Sequence, residues 1–218
     1  MTNEAYITEA LDRIKRKGND DELCLVPILN QEMQTVGFLR PITVDFKETI
    51  PRCAELLSKW RRDNPTLSPT RFSITEERTE KWLLDYVINN NRRILFMIQD
   101  LEGVCIGHMG FAGFEYDRQA AEVDLVVRGE KDVSKGIMRY AMGALIQWGK
   151  QELKLKHIGL EVLWDNEHAI SFYQSCGFQK RGLIPLEMKE IQGEVRWLPI
   201  SGDTGPAEKY YLQMELCQ

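Results

Sequence analysis

The sequence predicts an α+β fold, a mixed sheet with helices on both faces, and three patterns carry that prediction. Residues 120–178 read as strand, polar turn, helix, strand and helix in succession. Before them, residues 94–118 alternate with period two around turn residues, as an antiparallel meander does. Ahead of both, one strand is followed by two amphipathic helices. With 218 residues and no stretch that looks like a hinge, the chain is expected to form one good-sized domain behind an N-terminal extension.

Residues 4–17 form a polar helical pattern. Ala10, Leu11 and Ile14 lie on one side, Arg13, Lys15, Arg16 and Lys17 on the other, and Gly18-Asn19-Asp20 supplies turn chemistry. Residues 23–29 read as a short strand that Pro27 confines to a sheet edge. Residues 1–35 are read as the extension and 36–218 as the domain proper, opened by a strand at 36–42. Residues 46–62 follow as one helix, amphipathic through Ile50, Ala54, Leu57 and Trp60. After a long polar loop, Thr75 is the N-cap of a helix that presents Trp82, Leu83, Tyr86 and Val87 on one face. Residues 94–98 and 104–111 pair as a hairpin.

In the strand at 121–128, Glu122 and Asp124 alternate with Val123 and Leu125, so both acids project from the same face. Ile137, Ala141, Ala144, Leu145 and Trp148 mark the next helix, and residues 158–163 the next strand. Asn166 is an N-cap. Gly177 is the left-handed cap that ends the last helix, with Phe178 closing its hydrophobic contact. Three more strand patterns follow, at 181–188, 195–200 and 209–216.

Composition narrows the function. A chain with 43% apolar and 28% charged residues has enough for a core, and a net charge of −5 argues against nucleic acid as partner. The five cysteines (Cys24, Cys53, Cys105, Cys176, Cys217) are scattered without C-x-x-C spacing, which suits free thiols in a reducing compartment. The three histidines sit in no metal-ligand pattern, so no metal site is expected. The N-terminus lacks the pattern of a signal peptide, and no apolar run spans a bilayer. A cytoplasmic protein without a membrane partner is expected.

The turn at 129–136 leads from a strand into a helix and ends in Gly136. Backbone N–H groups at such a helix start are unpaired and attract phosphates. Lys131 and Lys135 would add charge, and Gly136 would admit a ligand to the backbone. A plain strand–helix connection fits the same residues. Neither G-x-x-x-x-G-K-[ST] nor G-x-G-x-x-G is present.

Asn166, Ala169, Tyr173, Gly177 and Phe178 occupy the fixed positions of N-x-x-A-x-x-x-Y-x-x-x-G-F. On this block the chain resembles the GNAT superfamily, which moves an acetyl group from acetyl-CoA to an amine. Residues 39–42, Ile106-Gly107 and Ala121-Glu122-Val123 extend the resemblance over roughly 36–216. It implies a GNAT fold, with a mixed, mostly antiparallel sheet and a splayed strand pair, and acetyl-CoA as co-substrate. The pantetheine arm would pair with the backbone of Val126, Val127 and Arg128 and meet Asn166 and Ala169. The pyrophosphate would lie on the amides of Val133, Ser134, Lys135, Gly136 and Ile137. This loop departs from the family's Q/R-x-x-G-x-G/A. Val133 stands for the polar residue, and Met138 puts bulk where a small residue usually lies against the phosphates.

An amine must lose its proton to attack a thioester, and Glu122 matches the family glutamate that takes it. Asp124 is the second candidate for base or amine contact, and solvated strand carboxylates are the plain alternative. Tyr173 matches the tyrosine that protonates the thiolate, a position where simple packing is also common. His108 and Glu161 are candidates to face the acceptor, though a strand histidine is often only packed. Residues 74–82 and 94–98 are similar to bacterial enzymes acting on nucleotide-linked amino sugars, and slightly less to ribosomal-protein N-terminal acetyltransferases. Arg71, with Arg61 and Arg62, would suit a diphosphate on such an acceptor. A non-catalytic acyl-CoA-binding module is the reading from another class, and a homodimer is left open.

Overall fold

The computed structural model describes residues 1–16, 25–65, 73–130, 133, 135–191, 194–200 and 207–217. Lys17, the turn at 18–20, Cys24, Arg71, Lys131 and Ser134 fall outside them. Helix α1 (Asn3–Arg16) buries Ile7, Ala10 and Leu11 in the same core as the sheet, so the first segment packs on the domain. Lys15 is a correction to the helical pattern. It is 1% exposed, and its Nζ donates to the Asn90 carbonyl rather than to water.

Strand β1 (Val26–Leu29), carrying Pro27, is indeed an edge, paired only with β2 (Thr35–Pro41). The single helix expected at 46–62 is broken. α2 (Phe46–Thr49) stops before Ile50-Pro51, and α3 (Cys53–Asp63) starts after Arg52 at a φ of 67°. Pro51 cannot donate to a helical carbonyl, and it drives the residue before it out of the α region. Thr75 does cap α4 (Glu76–Trp82), accepting from the Arg78 N–H at 3.2 Å. Leu83–Ile88 then continues as a π-helix, with the Asn89 N–H reaching back five residues to Leu84. The wider turn rotates the face, so Leu83, Val87 and Ile88 are buried and Tyr86 is 56% exposed.

The rest of the sheet is β3 (Arg93–Gln99), β4 (Cys105–Glu115), β5 (Ala120–Arg128), β6 (His157–Leu163), β7 (Phe178–Ile191), β8 (Glu194–Pro199) and β9 (Lys209–Leu216). Strand order is β1-β2-β3-β4-β5-β6-β9-β7-β8, antiparallel except for β5 against β6. α1, α5 (Ile137–Glu152) and α6 (Glu167–Ser175) contribute to the larger core cluster, while α2, α3 and the π-helix build the second. The helices on both faces and the mixed sheet are as expected.

Two features of β5 open the sheet. Its parallel pairing with β6 covers only Ala120–His157, Ala121–Ile158 and Glu122–Gly159. Then a bulge sets Leu125 at a φ of 53°, so that two residues of β5 oppose Met109 alone. The bulge shifts the alternation: Val123 belongs to the larger core cluster and Val127 to the second.

β3 and β4 approach closely at Gly110, where an added Cβ would collide with the Ile94 carbonyl. Gly110→Ala is expected to lower the denaturant midpoint by an amount equivalent to about 1–3 kcal/mol. Gly143, mid-helix in α5 with open space around it, should behave oppositely. Gly143→Ala is expected to gain about 0.4–1 kcal/mol in the same titration.

Candidate active site

β5 stops pairing with β6 at Glu122, and the candidate residues gather there. Glu122 stands over Gly113 of β4, whose φ is 62°, and a Cβ at Gly113 would lie 3.2 Å from the Glu122 Oε2. The absence of a side chain there makes room for the carboxylate. Glu122 touches solvent, yet it is pushed up to about 7, by burial first and then by Glu161, Asp124 and Glu115. Glu161 on β6 is itself pushed up by burial, against a hydrogen bond from Gln213 of β9. The strand face read from the sequence as carrying Glu122 and Asp124 therefore also carries further acids from both neighbouring strands.

Asp124 is buried more deeply. Its Oδ2 lies 3.0 Å from the Nε of Arg93 on β3, and burial leaves the carboxyl above its ordinary value, only partly offset by Arg93, the Leu125 backbone N–H and Arg61. The Arg93 guanidinium lies 5.9 Å from the centre of the Trp82 ring. Nε and Oδ2 are at ion-pair distance with no well-aligned hydrogen bond between them, so charge is the larger part of the attraction and hydrogen bonding the smaller. The sequence gives no signal for Arg93, because the contact crosses β4 and no short motif links positions 93 and 124.

Tyr173 sits on α6, half-buried between Phe172 and Phe178. Its phenol is held well above the usual range by burial, then by Asp124 and Cys176, so it stays protonated. Asn166 caps α6 through its Oδ1, which accepts from the Ala169 N–H at 3.2 Å. Gly177 closes the helix at a φ of 96°, with Phe178 buried behind it. Both local readings hold.

His108 is buried, stacks on Trp60 and is hydrogen-bonded through Nδ1 to the Leu125 carbonyl at 2.7 Å. Burial pulls it down to about 4, so it is neutral and braces the bulge. Arg61 is half-buried and interacts with Asp124, while Arg62 donates to the Ile74 carbonyl.

The residues that would hold an acyl-CoA fit it in two respects. Beyond Glu122 the β5 backbone at Val126, Val127 and Arg128 has no strand on its β6 side among the described residues. An extended amide chain could add there. At the head of α5, Gly136 is exposed with a φ of 86°, next to the first unpaired helix N–H groups. Val133 and Lys135 are exposed and Ile137 is buried. Arg128 ties this loop down, donating through Nε to the Glu130 carbonyl and through Nη2 to the Val133 carbonyl. Met138 is a correction: it is 7% exposed and packs into the core, leaving the opening in front of Gly136 clear of its bulk.

Residues 53–191 match the model of the acetyltransferase (GNAT) domain, and the chain belongs to this family. Among curated proteins it is 26% identical over 95 residues to a spermidine N(1)-acetyltransferase of Vibrio cholerae, covering 44% of this chain and 54% of that one. It is 29% identical over 196 residues to the uncharacterized protein ML0378 of Mycobacterium leprae, covering 85% and 42%. The chain thus spans about half the length of these relatives. Among solved structures, a chimera of the Vibrio cholerae SpeG spermidine N-acetyltransferase and hSSAT superposes with a TM-score of 0.58 at 17% identity, covering 82% of this chain and 95% of the other. A dodecameric spermidine N-acetyltransferase of Vibrio cholerae in an intermediate state gives 0.57 at 17%, covering 82% and 91%. At these identities the superpositions speak for the fold. Among the described residues no group of side chains could hold a metal ion, and no helix is long and apolar enough to cross a membrane.

Because Glu122 binds its proton more tightly in the folded chain than a free glutamate does, it favours the folded state at low pH. That contribution is lost as pH rises from about 4.5 through about 7. Melting curves of Glu122→Gln should therefore match the wild type near pH 4 and lie at higher temperature near pH 8. An equal offset at both values would contradict the reading of Glu122.

Proposed function

We propose that the protein transfers the acetyl group of acetyl-CoA to a primary amine of a small cationic molecule, a polyamine or similar amine. The observation that carries the reading is Glu122, a carboxylate lifted to about 7 where β5 leaves β6. A group with that value is ionised about half the time at neutral pH and still holds a proton well enough to accept one. Glu122 takes the amine proton, directly or through water. The amine nitrogen bonds to the thioester carbonyl carbon, the C–S bond breaks, and Tyr173 donates its phenolic proton to the departing sulfur. Its raised value means only that the phenol carries its proton at neutral pH. Arg128, the loop before α5 and the open edge of β5 hold the CoA chain, which brings proximity rather than chemistry.

Direct attack is favoured over an acetyl-enzyme. Burial raises the thiols of Cys105 and Cys176, so neither is poised as a thiolate. For the acceptor, the surrounding acids Glu115, Glu122 and Glu161 complement a cation, and the Vibrio cholerae relative is named for spermidine. A nucleotide-linked amino sugar would bring a diphosphate into this negative field. Arg61 already faces Asp124, and Arg71 lies outside the described residues.

Initial rates with acetyl-CoA against polyamines, UDP- and dTDP-amino sugars and N-terminal peptides test this. The expected result is turnover with polyamines, with kcat/KM rising to a plateau above about pH 7. Glu122→Gln should cost roughly 10²–10⁴-fold in kcat/KM at pH 7.5 while leaving acetyl-CoA binding intact. Binding of acetyl-CoA without turnover on any amine would make the chain a non-catalytic module.

A further inference from the structure

Glu122 and Asp124 lie two residues apart on one strand face, so the first proton taken up by that face has two places to go. Burial alone would send it to Asp124, the more enclosed carboxyl. Three observations favour the other choice. The Arg93 Nε stands 3.0 Å from the Asp124 Oδ2, the guanidinium is backed by the Trp82 ring, and Arg61 of α3 faces the same carboxyl. Among the described residues Glu122 has no such cation. The groups facing it are Glu161 on β6, Asp124 on its own strand and Glu115 on β4, all acids.

We infer that Arg93 is a positioning residue that, through its contact with Asp124, decides which of the two β5 carboxylates carries the exchangeable proton. With Arg93 present, Asp124 is a fixed negative charge. That charge repels a second charge on Glu122, and it also faces Tyr173, helping to keep the phenol protonated. Without Arg93, Asp124 takes the proton, and Glu122 reverts toward an ordinary carboxylate that is a poorer base. Charge is the larger part of what Arg93 does to Asp124, so a lysine at position 93 should preserve most of the effect. The kinetic consequence rests on the proposed role of Glu122, whereas the proton distribution does not.

The test is a carbon-13 NMR titration of the Glu122 and Asp124 carboxyls in folded protein, alongside the pH profile of kcat/KM for the acceptor. In wild type, Asp124 should ionise at lower pH than Glu122. Arg93→Met, Asp124→Asn and the double variant should each move the Glu122 titration, and the ascending limb with it, to lower pH by roughly one unit. The double variant should show no further shift, and Arg93→Lys should follow the wild type. A wild-type Asp124 that holds its proton longer than Glu122 overturns the inference, even if the Arg93→Met variant does not fold. So does an upward or absent shift in Arg93→Met, or additive shifts in the double variant. Titrations as expected in a protein with no acetyl transfer would leave the inference standing and remove the proposed function instead.

Discussion

A parallel pair of strands normally runs together for its whole length, because every unpaired backbone group left in the interior must find another partner. β5 and β6 pair at three positions and then part, and β5 takes a bulge three residues beyond the last of them. The residue at that bulge, Leu125, adopts a backbone conformation that leucine seldom visits. It is held there by its neighbours: the carbonyl bonds to His108, which in turn is clamped against Trp60 in the second core cluster. The packing of α3 thus fixes the shape of a strand on which it supplies no catalytic group. The gap, the exposed backbone and the direction of both acids all follow from it.

Within that gap the protein concentrates like charge where burial already disfavours it. Four acids come from three adjacent strands, with Arg93 and Arg61 beside Asp124 and Arg118 paired to the exposed Glu115. Such an arrangement works against stability, and its persistence is the usual mark of a place where proton affinity has been adjusted for chemistry. The difference between Glu122 and Asp124 is set by neighbours several strands away in the chain, not by residue type.

How much of this could be read from the chain depended on the range of the interaction. The cap at Asn166, the left-handed Gly177 and the shared face of Glu122 and Asp124 involve neighbours a few positions apart, and local pattern was enough. Pro51 was a local signal too, but the apolar periodicity through Ile50 and Leu57 concealed the break it imposes. The π-turn after Trp82 has no simple periodic signature, so the face carrying Tyr86 was misassigned. Met138 was weighed against a motif when its helical spacing from Met142 and Leu145 already pointed inward. The Arg93 contact, the place of the Glu122 carboxylate over Gly113 and the burial of Lys15 are made by register between distant segments, which a single sequence does not expose.

β9 follows β7 and β8 along the chain yet lies between β6 and β7 in the sheet. During synthesis, β6 therefore emerges facing a vacant edge, and β7 can close on it directly unless something intervenes. The long hairpin of β7 and β8 must wait, or be displaced, before the late strand slides into place. The wall beside Glu161, including the Gln213 that tempers it, thus rests on pairings between segments far apart in the chain, the kind whose closure is entropically costly.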